Sequence, residues 1–221
     1  MDVAVFSSRE YDENHLQRAL TGVACHPRFF TDALELDTAA LAEGCQAVCI
    51  FVNDRADAQM LEQLSAMGIR LLALRCAGTN HVDLPAARRL GIAVTRAGDY
   101  SPHSVAEHAM LLTLALVRHL PKAMARTQAF NFALDGLVGF DLHGKTIGII
   151  GTGRIGSVFA GILRGFGCQV LGNDICPNAD FEAHGGHSVA LDELQKKSDV
   201  ISLHCALNAQ TRHLVDAGFL S

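Results

Sequence analysis

A chain of 221 residues, 49% hydrophobic and 19% charged, carries enough apolar material for one large domain or two small ones, and too much for a disordered segment. Its 18 basic and 23 acidic residues leave a formal charge of −5, without the basic excess of a nucleic-acid binder. The 7 cysteines are odd in number, scattered and free of any C-x-x-C pair, which argues against zinc or a dithiol centre and for a reducing, cytoplasmic setting. Met1-Asp2-Val3-Ala4-Val5-Phe6 leads into a strand-like run rather than a signal sequence, and the longest apolar stretch, Ala109 to Val117, is about half of what a membrane helix needs. A soluble protein is expected, with no metal site.

The first hundred residues alternate short apolar runs with segments of helical period, the pattern of a parallel sheet covered by helices. Strands are predicted at Val3–Ser7, Pro27–Thr31, Ala47–Phe51, Leu71–Arg75 and Ala93–Arg96, with helices near Glu13–Leu20, Ala56–Met67 and Leu84–Leu90. Ser101 to about Ala133 then breaks the alternation. Ser101 reads as a cap, Pro102 as the first helical residue and Ser104-x-x-Glu107 as a capping box. Residues 105 to 117 are apolar on nearly every face, which predicts a helix buried between two bodies, and Pro121 should kink or split it. From Gly144 the alternation resumes: strand Thr146–Ile150, helix Arg154 to Phe166, strand Gln169–Asn173, helix Leu191–Lys197, strand Val200–His204. Leu214 to Ser221 reads as the start of a further helix.

Gly151-Thr152-Gly153-Arg154-Ile155-Gly156 is a G-x-G-x-x-G, a weak signal by itself. Here it follows a predicted strand and opens a helix, where each glycine has a physical role. Gly151 permits a tight turn, Gly153 allows close backbone approach to a pyrophosphate, and Gly156 allows the helix to pack on the strand. The helix N-terminus would then offer free N–H groups to the phosphates. Asp174, at the end of the next strand, can accept hydrogen bonds from ribose hydroxyls and would repel a 2′-phosphate; Ile175-Cys176-Pro177-Asn178 supplies no arginine to hold one. NAD is therefore preferred over NADP.

Arg75 to Asp83 follows a predicted strand at the edge where open α/β sheets bind ligands, and free backbone N–H groups there could hold a small carboxylate. An ordinary turn closed by an Asp83 cap fits the spacing equally well.

The runs Cys49-Ile50-Phe51-Val52-Asn53-Asp54, Leu74-Arg75-Cys76-Ala77-Gly78, Ser104-Val105-Ala106-Glu107-His108, Gly144-Lys145-Thr146 and Asp199-Val200-Ile201-Ser202-Leu203-His204-Cys205 together resemble the D-isomer-specific 2-hydroxyacid dehydrogenases, most of all the NAD-dependent D-lactate dehydrogenase branch. The resemblance covers the whole chain in one order. It implies an α/β protein with a flavodoxin-like substrate domain, residues 1–98, lacking its C-terminal return segment, and a Rossmann-type doubly wound NAD-binding domain, residues 99–221, C-terminally incomplete. It implies that Cys76, Ala77 and Gly78 hold the substrate carboxylate, that Tyr100 lines the same pocket, and that substrate binds in the cleft between the domains. Gly151, Gly153, Arg154, Ile155 and Gly156 would meet the pyrophosphate and Asp174 the ribose, with Cys205, Ala206 and Thr211 along the cofactor. Ala206 stands where relatives commonly carry proline, which predicts a looser loop.

The family reduces a 2-keto acid with an arginine, in an N-T-[SA]-R-G-like run, and a glutamate–histidine pair; this chain contains no such run, so those groups are expected to lie beyond Ser221 and the chain is expected to be truncated and inactive. His81, His103, His108 and His204 lie near the expected cleft without the family's motif around them. A His204–Cys205 nucleophilic pair is rejected, because neighbouring strand residues point to opposite faces. The implied reaction is NADH-dependent reduction of pyruvate to D-lactate, with glyoxylate or hydroxypyruvate as alternative substrates, a non-catalytic NAD-binding regulatory module as the alternative role, and a homodimer as the implied assembly.

Overall fold

Four- and five-residue apolar runs are stable as strands only where helices or further strands cover them, and both halves of the chain meet that condition with all-parallel sheets. The computed structural model describes residues 1–98 and 101–220, which divide into two units between Tyr100 and Ser101. In the first unit β1 (Asp2–Val5), β2 (His26–Phe29), β3 (Ala47–Ile50), β4 (Leu71–Leu74) and β5 (Ala93–Arg96) lie in the order β2-β1-β3-β4-β5. That is the flavodoxin-like order, with its reversal between β1 and β3. One face is packed by α2 (Ala58–Ala66) and α3 (Leu84–Arg89): Met60, Leu61, Leu64, Ala86 and Ala87 bury against Phe6, Val48, Ile50 and Leu72. The other face meets α1 (Glu10–Ala19), which buries none of its residues fully; Leu16 packs partly buried beside Val3, Val5, Ala47 and Cys49. Asp57 and Asp83 cap α2 and α3 by accepting from Met60 N and Ala86 N.

The second unit runs α4 (Pro102–Val117), α5 (Leu120–Gln128), β6 (Thr146–Ile150), α6 (Arg154–Gly165), β7 (Gln169–Asn173), α7 (Ala179–Ala183), β8 (Gly186–Ser188), α8 (Leu191–Lys197) and β9 (Val200–Leu203). Its strand order is β8-β7-β6-β9, the 3-2-1-4 portion of a doubly wound sheet. Ile147, Ile149 and Val170 form its core with Ala106 and Met110 of α4, Phe159, Ala160 and Leu163 of α6, and Phe181 of α7. At the edge away from the strand C-termini, Thr146 N donates to Asp199 at 2.9 Å and Lys145 Nζ reaches the same carboxylate at 3.2 Å, so the Gly144–Thr146 and Asp199–Cys205 runs meet in a single joint between β6 and β9.

Four expectations need correction. The cap of α4 is Ser101, whose hydroxyl accepts from Ser104 N at 3.3 Å; Ser104 is the third helical residue, so the Ser104–Glu107 pair is no capping box. Residues 105–117 are not buried all round. Ala106, Met110 and Val117 are covered, whereas Leu111, Leu112 and Leu116 are exposed, the last at 74%, because apolar composition does not say which face meets a neighbour. Leu214–Leu220 contains no helix but one turn, with Asp216 accepting from Phe219 N at 2.8 Å. Finally α7, β8 and a 3-10 turn at Ala39–Ala42 have no predicted counterpart. Pro121 does split the long helix. It is the second residue of α5, where its missing N–H costs no helical bond, and His119 turns the chain in the left-handed region at φ 50°.

Phe181 is fully buried, and its ring fills the space that a side chain at Gly172 of β7 or Gly186 of β8 would occupy. Phe181→Ala should destabilise the second unit by about 3–5 kcal/mol. Urea unfolding read from that unit checks this; an unchanged midpoint would show the ring to be dispensable to the core.

Candidate functional site

At the C-terminal ends of β6 and β9 the second unit makes a crevice at its topological switch point, the place where ligands bind in open α/β sheets. Gly151 follows β6 at φ +96°, and its N–H donates to Asn173 O at 2.8 Å. A Cβ at Gly151 would overlap the main chain of His204 and Cys205, and one at Gly156 would overlap Gly151 O. Both glycines are therefore required by close approach, and nothing lies within 4 Å of the corresponding position at Gly153, which leaves open space over the loop. Gly153 is the N-cap of α6, so Arg154 and Ile155 open that helix and direct its first N–H groups at the crevice.

Asp174 lies just past β7. Its Oδ2 accepts from Thr152 N at 2.7 Å and from Thr152 Oγ1 at 3.4 Å, and its Oδ1 accepts from Ile175 N at 2.7 Å. The carboxylate is thus braced against the glycine loop, and lone pairs remain on it for a ribose hydroxyl. Sequence reasoning missed the other braces: Asn178 Nδ2 donates to Thr152 O and to Ser157 Oγ, and Ser157 Oγ donates to Thr152 O at 3.1 Å. Asn178 also caps α7, and that cap was the available signal.

After β9, the main chain of Cys205 approaches Gly151, and the loop that follows Ala206 carries its own side-chain hydrogen bonds. Thr211 Oγ1 donates to Ala206 O at 2.6 Å and accepts from Asn208 N at 2.9 Å, so the hydroxyl bridges the two ends of the turn. The arrangement fits a dinucleotide: a side-chain-free cradle, a helix N-terminus and an acid are brought together by β6, β7 and β9.

The first unit holds the other candidate residues. Cys76, Ala77 and Gly78 leave the end of β4, and among the described residues no backbone acceptor takes their N–H groups. The turn is held by its carbonyls: Ala97 N donates to Cys76 O at 3.2 Å and Arg96 Nη1 to Ala77 O at 2.7 Å. Beside it opens a polar cavity of about 600 Å³ whose lining includes Asn53, Asp54, Arg55, Asn80 and His81. Tyr100 lies outside the described residues.

Cys76 Sγ stands 3.8 Å from His81 Nε2, a pair that spacing did not reveal. It is no nucleophile. Burial raises the Cys76 thiol above its usual value and lowers the His81 imidazole, so both are neutral near pH 7 and no thiolate–imidazolium pair forms. His103 and His108 are exposed on α4. His204 turns from Cys205 to Ser202, with Nε2 2.9 Å from Ser202 Oγ and its ring 5.1 Å from that of Phe159. None of these four histidines hydrogen-bonds a carboxylate among the described residues, as the family's acid–base histidine would require.

Residues 110–221 match the family model "D-isomer specific 2-hydroxyacid dehydrogenase, NAD binding domain". The chain is 45% identical over 216 residues to D-lactate dehydrogenase of Escherichia coli K12, covering 98% of this chain and 66% of that protein. It is 44% identical to 2-hydroxyacid dehydrogenase homolog 1 of Schizosaccharomyces pombe, covering 100% of this chain and 67% of the relative. The solved apo-structure of the Escherichia coli D-lactate dehydrogenase superposes with a TM-score of 0.90 at 44% identity, over 99% of this chain and 69% of that one. A D-lactate dehydrogenase from Aquifex aeolicus, solved with NAD and lactic acid, gives 0.84 at 33% identity, over 99% and 65%. The chain thus spans 65% of the first of its curated relatives, a Haemophilus influenzae homolog, and about the same share of the others.

Burial lowers the His204 pKa below its usual 6.5, so the folded protein binds fewer protons there than the unfolded chain. Its contribution to stability is full above that value and is lost as pH falls through it toward the depressed folded value. The unfolding midpoint should drop between about pH 7.5 and about pH 5, and drop less in His204→Gln; equal drops would assign the acid sensitivity to other groups.

Proposed function

The chain belongs to the D-isomer specific 2-hydroxyacid dehydrogenases, and on that footing we propose that it carries the NADH-binding and substrate-carboxylate-binding parts of a D-lactate dehydrogenase, which reduces pyruvate to D-lactate. The observation that carries the reading is the cradle at Gly151 and Gly156 braced by Asp174, an arrangement with room for a pyrophosphate and an acid aimed at the adenosine end. The nicotinamide cofactor would supply the hydride. This chain's residues would bind and orient: the N-terminus of α6 would neutralise the phosphates, Asp174 would accept from the ribose hydroxyls, and the N–H groups of Cys76, Ala77 and Gly78 would hold the carboxylate of the keto acid.

Residues 1–98 are read as the substrate domain and 99–221 as the cofactor domain. None of the four histidines considered hydrogen-bonds a carboxylate among the described residues and the sequence carries no N-T-[SA]-R-G-like run, so this reading assigns the proton and the polarisation of the carbonyl to none of them. The exposed apolar side chains Leu111, Leu112 and Leu116 of α4 and Phe130, Phe132 and Val138 beyond α5 support a homodimer formed through the cofactor unit. Seven unpaired cysteines support a cytoplasmic setting. No helix among the described residues is long and apolar enough to cross a membrane.

Calorimetric titration should show NADH binding at least about tenfold more tightly than NADPH, and Asp174→Ala should erase the difference. Equal affinities in the parent would overturn the role of Asp174. Pyruvate added to these 221 residues and NADH should give no loss of NADH absorbance above background; turnover like that of a complete enzyme would show that one of the histidines discounted above transfers the proton.

A further inference from the structure

The cofactor cradle makes no use of one charged cluster in the first unit. Arg75 is the residue immediately before the Cys76–Gly78 turn, and its guanidinium points back into the protein with only 11% of the side chain exposed. Nη2 donates to Phe6 O at 3.1 Å and to Ser7 O at 3.0 Å, the two residues that follow β1. Ser7 Oγ donates to Asp54 Oδ1 at 2.7 Å. Asp54 Oδ1 also accepts from Leu34 N at 2.9 Å, beyond β2, and Oδ2 accepts from Phe51 N at 2.7 Å, at the end of β3. The Phe51 ring then lies 5.4 Å from the Arg75 guanidinium carbon, and this closes the circuit. Four residues, Arg75, Ser7, Asp54 and Phe51, thus form a ring that ties together the C-terminal ends of β1, β3 and β4, with Leu34 joining the loop after β2.

Two features set this ring apart from ordinary loop packing. Asp54 is only 1% exposed, so a carboxylate has been withdrawn from water to serve three donors in three loops. Ser7 holds φ 50°, a left-handed conformation that a serine adopts only under compulsion from its surroundings. In addition, Arg75 Nε and Nη1 are buried without a hydrogen bond among the described residues, Nε lying 3.7 Å from Asp12 and the guanidinium beside the buried Cys49 thiol, so the ring shares the placement of Arg75 with a largely buried ion pair. The ring sits at the ligand-binding edge of the sheet, one peptide from a turn in which, among the described residues, no backbone acceptor takes the N–H groups of Cys76 and Ala77, while the Gly78 N–H faces the Cys76 thiol.

We propose that the Arg75–Ser7–Asp54–Phe51 ring is a positioning device that sets the N–H groups of Cys76, Ala77 and Gly78 for a 2-keto acid carboxylate. Asp54 and Ser7 act through Arg75 and touch no substrate. The proposal rests on the assignment of this turn to the substrate carboxylate.

Oxamate, an unreactive analogue of pyruvate, separates the two claims. In the 15N-labelled chain saturated with NADH, oxamate should shift the amide signals of residues 76–78; no shift there overturns the substrate assignment and the proposal with it. Asp54→Asn, which deprives Phe51 N of its acceptor, should move those three amides in the ligand-free protein and weaken oxamate about tenfold while leaving the NADH affinity unchanged. Ser7→Gly keeps the left-handed backbone and deletes only the hydroxyl, so it carries the same test if Asp54→Asn does not fold. Lower melting temperatures with unaltered amide positions and unaltered oxamate affinity would reduce the ring to a structural brace and overturn the proposal.

Discussion

Close approach of main chain to main chain at the end of β6 governs the second unit. Gly151 passes against His204 and Cys205, and α6 begins so near the same loop that Gly156 faces Gly151 O with no room for a methyl group. Because β7 and β9 flank β6 on opposite sides, the chain leaves the sheet in two directions and opens a crevice above β6. The helix N-terminus, the bracing of Thr152 and the position of Asp174 all depend on that crevice staying free of side chains. A cofactor site here would therefore be a consequence of what is absent from the backbone's path as much as of the groups that surround it.

The first unit solves a related problem with charge instead of glycine. Its sheet also ends in loops that converge from four strands, but those loops are tied by a buried carboxylate and a guanidinium. Such a network is rigid when fully made and costly when broken, since each deletion strands a donor away from water. The two units thus present contrasting edges: one keeps its main chain bare of side chains at Gly151 and Gly156, the other anchors its loops with a buried carboxylate and, among the described residues, gives the N–H groups of Cys76 and Ala77 no backbone acceptor.

Much of this was legible in the residues. β5, β6, β7 and α8 fall where the sequence pattern puts them: β6 is a buried apolar run, β5 and β7 mix covered and exposed positions between clear turn signals, and α8 has helical spacing. The glycine fingerprint and Asp174 could be read because they are local and their spacing is set by one βαβ unit. α7 and β8 could not, being five and three residues long and polar; they exist because one phenylalanine, Phe181, wedges against two strands. The one-sided burial of α4 escaped for a different reason, since a helix apolar all round gives no hint of which side meets a neighbour. The Asp54 ring was illegible because its partners stand 47 and 68 residues apart in the chain, and the contact between Cys76 and His81 because it is made by the curl of a turn.

The bond from Thr152 N to Asp174 joins the loop that would face the phosphates to the acid that would face the sugar. Folding therefore completes the geometry of both subsites at once, before any ligand arrives. A loop so braced in the free protein would have less conformational entropy to lose on association. The two ends of a dinucleotide would then be recognised as one rigid template, in which a shift of the carboxylate is felt at the phosphates without any intervening change of fold.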